Sequence, residues 1–286
     1  MTALRSLLFV PGNKENMLEK ASGFRPDVFV PDMEDSVPDA EKANARETIA
    51  RFLPKLAATG VPVMPRVNSL PTGWTEDDLE AVVGPDIIGI SIGKIDKPAD
   101  LENVSDMLAH LEAEQHLNVG ALQIIPWLES ARAIVNCYEI LSSSPRIAGV
   151  AFGAEDFTHD MGIERLEDES ESAFARNTLA MAARAARVTA LDTPYFSFRD
   201  DEGLRANSRE SRQRGFKGRF AIHPAQIDGI NETYSPSESE IEHARKIVAA
   251  FEEAEARGRG STSLDGKVID VPVVKRARAL LELAGK

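Results

Sequence analysis

Short runs of apolar and β-branched residues recur along the chain at 6–10, 27–31, 61–67, 87–92, 122–127, 147–152, 193–198 and 219–222. Each gives way to Gly, Pro or polar residues. Most runs are continuous rather than alternating, the pattern of parallel strands buried on both faces. The longer stretches between them place apolar residues every three or four positions, which predicts helices. "NKENMLEKA" (13–21) opens with Asn13 as a candidate N-cap, and "EKANARETIARFLPKLAATG" stops at Gly60, a natural C-terminal stop. "PADLENVSDMLAHLEAEQH", "ESARAIVNCYEILSS" and "SAFARNTLAMAARAARVT" behave alike. Alternation of this kind means parallel βαβ units. Eight of them predict an α/β fold, a closed (β/α)8 TIM barrel. The 193–198 strand is the least regular, because Pro194 interrupts it. No GxGxxG or GxxxxGK[ST] loop argues for an open nucleotide-binding sheet instead.

After the eighth run comes an acidic helix, 236–257, then "GRGSTS" (258–263), a flexible linker by composition. "LDGKVIDVPVVKRARALLELA" then reads as a turn, a short extended piece and a helix. The expected organisation is a barrel domain over 1–257 and a C-terminal linker with a helical lid arm over 258–286.

Composition narrows the partners. The chain has 286 residues, 43% of them hydrophobic, enough for a substantial core. Its net charge of −13 argues against nucleic acid or an anionic membrane surface. An anionic ligand would then need a local basic pocket. Cys137 is the only cysteine, so there is no disulfide framework. No apolar run approaches the ~20 residues that span a bilayer. The apolar run near the N-terminus is too short for a signal peptide. A cytoplasmic protein is expected.

In a (β/α)8 barrel, site residues emerge at the C-terminal ends of the strands. There the sequence offers Asp32, Glu34 and Asp35 after the second run, Arg66 and Asn68 at the third, and Lys94 after the fourth. Glu129 follows the fifth, Glu155 and Asp156 the sixth, and His223 with Pro224 the eighth. Glu129 and Asp156, on neighbouring strands, could share a hard divalent cation. Equally, each could be an acid opening a helix, favoured by the dipole. Arg66 suits a carboxylate or an enolate oxygen, with an ion pair to Asp32, Glu34 or Asp35 as the structural alternative. Lys94 is either a Schiff-base lysine or a salt-bridged one. His223 is either an acid/base or a turn residue. The five histidines show no HxH or HExxH spacing, which argues against zinc.

Taken in order, "RSLLFVPGN", "DMEDSV…EK…AR", "PRVN", "ESARA", "GAEDF", "DDEGL", "GRFAIHPAQI", "YSPS" and "DGKVIDVP" resemble the HpcH/HpaI aldolase and citrate lyase β-subunit superfamily. Within it, the likeness is to malyl-CoA and citramalyl-CoA lyases. The resemblance implies a (β/α)8 barrel, an oligomer (trimer or hexamer), and Mg²⁺, with Mn²⁺ as the alternative ion. It implies Glu129 and Asp156 as metal ligands, Arg66 as the substrate arginine, and Asp270 in "VIDVP" as a catalytic acid/base. That last residue would ride on an arm closing over a neighbouring subunit's site. Phe9, Val10, Lys14 and Lys20 match positions that contact coenzyme A, and the backbone around Glu155, with Ile222 and His223, matches further substrate contacts. The two lysines supply the positive charge an acidic protein needs for CoA phosphates.

Three departures from the pattern stand out: "PDMED" where many relatives have "DLED", "SIGK" where many have "LPK", and "IHP" where many citrate lyase β-subunits have an asparagine before the proline. The third leans towards a stand-alone CoA-ester lyase. The expected reaction is reversible cleavage of a 3-hydroxyacyl-CoA into a 2-oxo acid and an acyl-CoA. The rival readings are a citrate lyase β-subunit, a metal-dependent aldolase of free hydroxy-keto acids, a malyl-CoA thioesterase and a non-catalytic CoA-ester binding protein.

Overall fold

The computed structural model describes residues 3–166 and 168–285. The chain divides into two compact units, Met1–Asn231 and Glu232–Lys286.

In the first unit eight parallel strands close into a barrel in chain order. They are β1 (Ser6–Pro11), β2 (Val28–Asp32), β3 (Arg66–Val67), β4 (Gly89–Ile92), β5 (Gln123–Leu128), β6 (Gly149–Phe152), β7 (Thr189–Asp192) and β8 (Gly218–Ala221). The ring shuts where β8 pairs with β1, Leu7 opposite Phe220. Helices separate the strands as the periodicity predicted. Examples are Glu15–Ala21, Lys42–Ala57, Pro98–Glu114 and Ala173–Ala186. The interior is packed, with Leu7, Val30, Met64, Ile125, Leu191 and Phe220 among its side chains.

Two strands differ from expectation. The third run, 61–67, contributes only Arg66 and Val67 as a ladder strand, with a single bridge from Val63 to Phe29. Pro62 and Pro65 remove amide donors from that stretch, which limits its pairing. The seventh strand is Thr189–Asp192, not 193–198. The preceding helix ends at Arg187 in a left-handed conformation (φ 62°), and the short "TALD" segment pairs with β6 and β8. The aromatic run after Pro194 mimics a strand in sequence, but in space it is the loop leaving β7.

The second unit contains the helix Glu238–Ala256, a two-stranded antiparallel hairpin and the helix Val271–Ala284. A capping box between Ser237 and Glu240 starts the first helix. The hairpin pairs β9 (Thr262–Leu264) with β10 (Lys267–Ile269). Asp265 and Gly266, both at positive φ, make its two-residue turn. Phe251, Ile269 and Val274 form this unit's core. The division expected at 257/258 thus falls inside this unit, because Glu238–Ala256 packs against both β9 and Val271–Ala284. Among the described residues no helix is long and apolar enough to cross a membrane.

Candidate active site

The loops at the C-terminal ends of the strands surround a cavity of about 300 Å³, lined among others by Phe9, Arg66, Trp127, Glu129, Asp156 and Ile222. Strand register explains part of the assembly. Asp32 is the Cα partner of Arg66 across β2 and β3. Its carboxylate therefore meets the guanidinium side-on, accepting from Nε at 2.6 Å and Nη2 at 2.8 Å. Arg66 Nη1 lies 2.9 Å from Glu34 and 3.3 Å from Asp35. All three acids of the "DMED" segment thus pair with Arg66. The pairing fixes the guanidinium at the cavity wall, where it remains part of the lining.

The segment itself is tied down from both sides. Asp32 also accepts from the backbone N–H of Glu34 and Ser36. Lys42, buried in the following helix, donates to the carbonyls of Met33 and Glu34 at 2.8 and 2.9 Å. Burial pushes the Asp32 carboxyl up, but Arg66 outweighs it and holds the group below the usual carboxylate range.

Beneath Arg66 lies an aromatic floor. Its guanidinium carbon is 4.4 Å from the Phe9 ring centroid and 5.7 Å from that of Trp127. Phe9, Trp127 and Phe220 pack on one another, and Ser91 Oγ accepts the indole N–H of Trp127 at 2.8 Å.

Glu129 follows β5 and is only 7% exposed. Its Oε1 accepts the backbone N–H of Lys94 at 2.7 Å. Burial, then the charge of Asp156, then that of Glu34, push its carboxyl up to about 8. Two glycines make room for it. A Cβ on Gly153 would lie 2.2 Å from Glu129 Oε2, and one on Gly93 would lie 3.0 Å from Oε1 and 2.9 Å from Glu34 Oε1. Glu34 Oε1 is buried without a hydrogen-bond donor, and burial raises that carboxyl too.

Asp156 faces the same cavity from the helix Ala154–Met161 after β6, and no donor among the described residues engages its side chain. Two carboxyl groups thus face one cavity, and the charge of Asp156 disfavours ionisation of Glu129. Among the described residues no group of three or more His, Cys, Asp or Glu side chains is arranged for a metal. A hard cation such as Mg²⁺ needs only one or two carboxylates, so Glu129 and Asp156 fit it.

The remaining expected residues separate. Glu155 turns its side chain to Arg165 at 3.2 Å, while the residue still lines the cavity. Lys94 is held at φ 56° with Nζ 3.7 Å from Glu34. Burial lowers its pKa, but Glu34, Asp35, Asp156 and Glu129 together outweigh that and raise it, which disfavours a neutral Schiff-base amine. Asn68 is structural, giving both its backbone and side-chain N–H groups to Asp78. His223 accepts from Ala225 N–H through Nδ1 and stacks on Phe198, as a turn residue does. Ile222 reaches the cavity. Val10 is buried in β1, and Lys14 and Lys20 are exposed at the two ends of Glu15–Ala21. Asp270 lies in the second unit, exposed, where its carboxylate caps Val271–Ala284 by accepting from Val273 N–H at 3.3 Å.

Trp127, Gly93, Gly153 and Phe196 were not singled out from the sequence. A glycine one residue before Lys94 and three before Asp156 was the available sign for the two glycines.

Comparison with known proteins places the chain in a family. Residues 5–224 match the family model for HpcH/HpaI aldolase/citrate lyase. The chain is 36% identical over 280 residues to citrate lyase subunit beta of Leuconostoc mesenteroides subsp. cremoris, covering 98% of this chain and 93% of that one. It is also 36% identical over 280 residues to (3S)-malyl-CoA thioesterase of Cereibacter sphaeroides, covering 98% and 94%. Among solved structures, CitE of Mycobacterium tuberculosis in complex with magnesium, acetoacetate and coenzyme A superposes with a TM-score of 0.81 at 27% identity, covering 99% of each chain. With the barrel closed and its strand-end carboxylates gathered on one cavity, the chain belongs to the HpcH/HpaI aldolase/citrate lyase family of carbon–carbon lyases.

Proposed function

We propose that this chain is a Mg²⁺-dependent lyase that cleaves a 3-hydroxyacyl-CoA reversibly by Claisen chemistry. The substrates are of malyl-CoA, β-methylmalyl-CoA or citramalyl-CoA type, and the products are a 2-oxo acid (glyoxylate or pyruvate) and an acyl-CoA. The observation that carries the reading is the buried Glu129 carboxyl beside Asp156 in the cavity that Arg66 lines. The magnesium, acetoacetate and coenzyme A held by M. tuberculosis CitE supply the ligand chemistry of the proposal.

Glu129 and Asp156 would hold the ion. Bound there, Mg²⁺ (or Mn²⁺) supplies Lewis-acid polarisation of substrate oxygens. Arg66, already fixed by Asp32, presents its positive charge where oxyanion character develops, with no reorganisation needed at that moment. The hydroxyl would give up its proton to solvent, its oxygen becoming the keto group, and the breaking carbon–carbon bond leaves its electron pair on the acyl-CoA α-carbon. Asp270 would protonate that carbon, or remove its proton in the reverse direction. Its assignment rests on the "VIDVP" match, with the arm of a neighbouring subunit in a trimer or hexamer as donor. Lys14 and Lys20 would meet the CoA phosphates beside Phe9 and Val10. The backbone around Glu155 and that of Ile222 and His223 would complete the substrate contacts. The proposed location is the cytoplasm.

The likeness to (3S)-malyl-CoA thioesterase favours a second reading, hydrolysis of the thioester without carbon–carbon cleavage. The equal identity to citrate lyase subunit beta keeps a citryl thioester as the third substrate class. One assay separates them. Purified protein with Mg²⁺ is offered malyl-CoA, β-methylmalyl-CoA, citramalyl-CoA and a citryl thioester, and 2-oxo acid, acyl-CoA and free CoA are followed. Equimolar 2-oxo acid and acyl-CoA are expected, and Glu129→Gln should weaken Mg²⁺ binding by calorimetry at least tenfold. Free CoA without acyl-CoA would identify a thioesterase, and no product from any thioester would overturn the proposal.

A further inference from the structure

The cavity has two unlike halves, and the strand order says where they stand. Its charged groups come from β2, β3, β5 and β6: Asp32, Asp35, Arg66, Glu129, Glu155 and Asp156. The loops after β7 and β8 contribute Thr193, Pro194, Phe196 and Ile222, which carry no charge. In a ring of eight strands closed in order, β7 and β8 stand across from β3 and β4. Phe196, after β7, therefore stands across the mouth from the end of β3, which carries Arg66, and Ile222 follows the neighbouring β8.

This uncharged side is built, not loose. Gln226, 1% exposed, bridges the two loops: its Nε2 donates to Tyr195 O at 2.7 Å, while its Oε1 accepts from the backbone N–H of Ile222 at 2.9 Å and of His223 at 3.2 Å. Tyr195 Oη donates to Asp200 at 2.9 Å, and Asp200 accepts from Gly203 N–H to cap the helix Asp201–Arg214. A Cβ at Gly203 would lie 2.0 Å from Asp200 Oδ2 and 2.3 Å from Tyr195 Oη, so a larger residue there would have to displace this pair. That gives the "DDEGL" segment a function: it latches the β7 loop. Between the latch and the Gln226 bridge, Phe196 keeps 53% of its surface exposed, a large apolar side chain held open at the rim of the cavity.

We propose that Phe196 and Ile222 form a specificity wall that packs on an alkyl substituent at the thioester α-carbon, so that the site prefers branched over unbranched acyl units. This deepens the proposed lyase reading and rests on it. The carbinol carbon of a 3-hydroxyacyl-CoA carries the hydroxyl and a carboxylate, and both belong with the cation-and-arginine side. The neighbouring α-carbon carries only hydrogen or alkyl and is left to the uncharged side. Burying one added methylene on such a wall amounts to about 0.8 kcal/mol, or roughly fourfold in affinity.

The test separates the wall from the reaction. Affinities of acetyl-CoA and propionyl-CoA, neither of which can be cleaved alone, are measured by calorimetry with Mg²⁺ for the wild type, Phe196→Ala and Ile222→Ala. In parallel, kcat/KM is compared for malyl-CoA and β-methylmalyl-CoA. The wild type is expected to bind propionyl-CoA about fourfold more tightly, with the ratio falling towards one in Phe196→Ala and Mg²⁺ affinity unchanged. Equal wild-type affinities, or a ratio that survives both substitutions, would overturn the wall. If the affinity ratio behaves as expected but the wild type cleaves no thioester, the lyase reading falls and the wall stands.

Discussion

Gly153 and Glu129 show how a single missing atom shapes the site. Gly153 sits at φ −97°, where any residue is comfortable, so its requirement is steric. A Cβ there would lie 2.2 Å from Glu129 Oε2 and 2.7 Å from Glu129 Cβ, too close for the carboxylate terminus alone to yield. Gly153→Ala should displace the whole Glu129 side chain and lower Mg²⁺ affinity at least tenfold by calorimetry. Gly93→Ala should do less, because the atoms it meets, at 2.9 and 3.0 Å, are the flexible ends of Glu34 and Glu129. Equal affinities across wild type and both variants would refute the steric account. Glu129 and Asp156 were legible in the sequence as acids after apolar runs. The glycines' role was not, because it depends on how closely β4, β5 and β6 approach one another.

At the scale of the element, Asp270 has one observed task and one proposed task, which a pair of substitutions can separate. It caps Val271–Ala284, a structural role visible in the Val273 N–H contact, and it is the proposed acid/base. Asn is as good an N-cap as Asp, whereas Ala costs about 1 kcal/mol. Asp270→Asn should therefore keep its denaturation midpoint yet lose turnover by at least ~100-fold, the contribution of a positioned acid/base. Asp270→Ala should lose both. Full turnover in the Asn variant would remove Asp270 from the reaction. The seventh strand teaches the complementary lesson. "TALD" is too short to stand out from its flanking helix, whereas "TPYFSF" has strand-like residues. What made "TALD" the strand was the pair of open edges on β6 and β8 that it fills.

For the whole molecule, a buried ionic network behind the barrel mouth sets the response to acid. Arg176 meets both oxygens of Asp192 and pairs with Glu169, which Arg165 also contacts at 2.7 Å. Arg219, fully buried, lies 3.5 Å from Asp192 and donates to Thr193 O at 3.2 Å, at the rim of the cavity. Burial pushes the Asp192 carboxyl up, but Arg176 and Arg219 outweigh it and hold it below its ordinary value. A carboxylate depressed in the folded state stabilises the fold above its unfolded pKa of about 4, and that stability is lost as pH falls through the lower folded value. Urea midpoints should thus fall steeply below about pH 4. Asp192→Asn, which removes the buried anion shared by two guanidinium groups, should cost about 3–5 kcal/mol at pH 7 and flatten the acid limb. An acid limb as steep as the wild type's would show that Asp192 does not set it.

Much of the architecture was written in the sequence, because strand and helix periods are local. Eight apolar runs and the helices between them predict a closed barrel, and the strand-end rule places Arg66, Glu129 and Asp156 at its mouth. Tertiary structure decided the rest. Pairing edges chose "TALD" over "TPYFSF", strand register put Asp32 on Arg66, and ring closure set the uncharged cavity lining after β7 and β8 across from β3 and β4. Those are relations between residues far apart in sequence, and only the closed barrel brings them together.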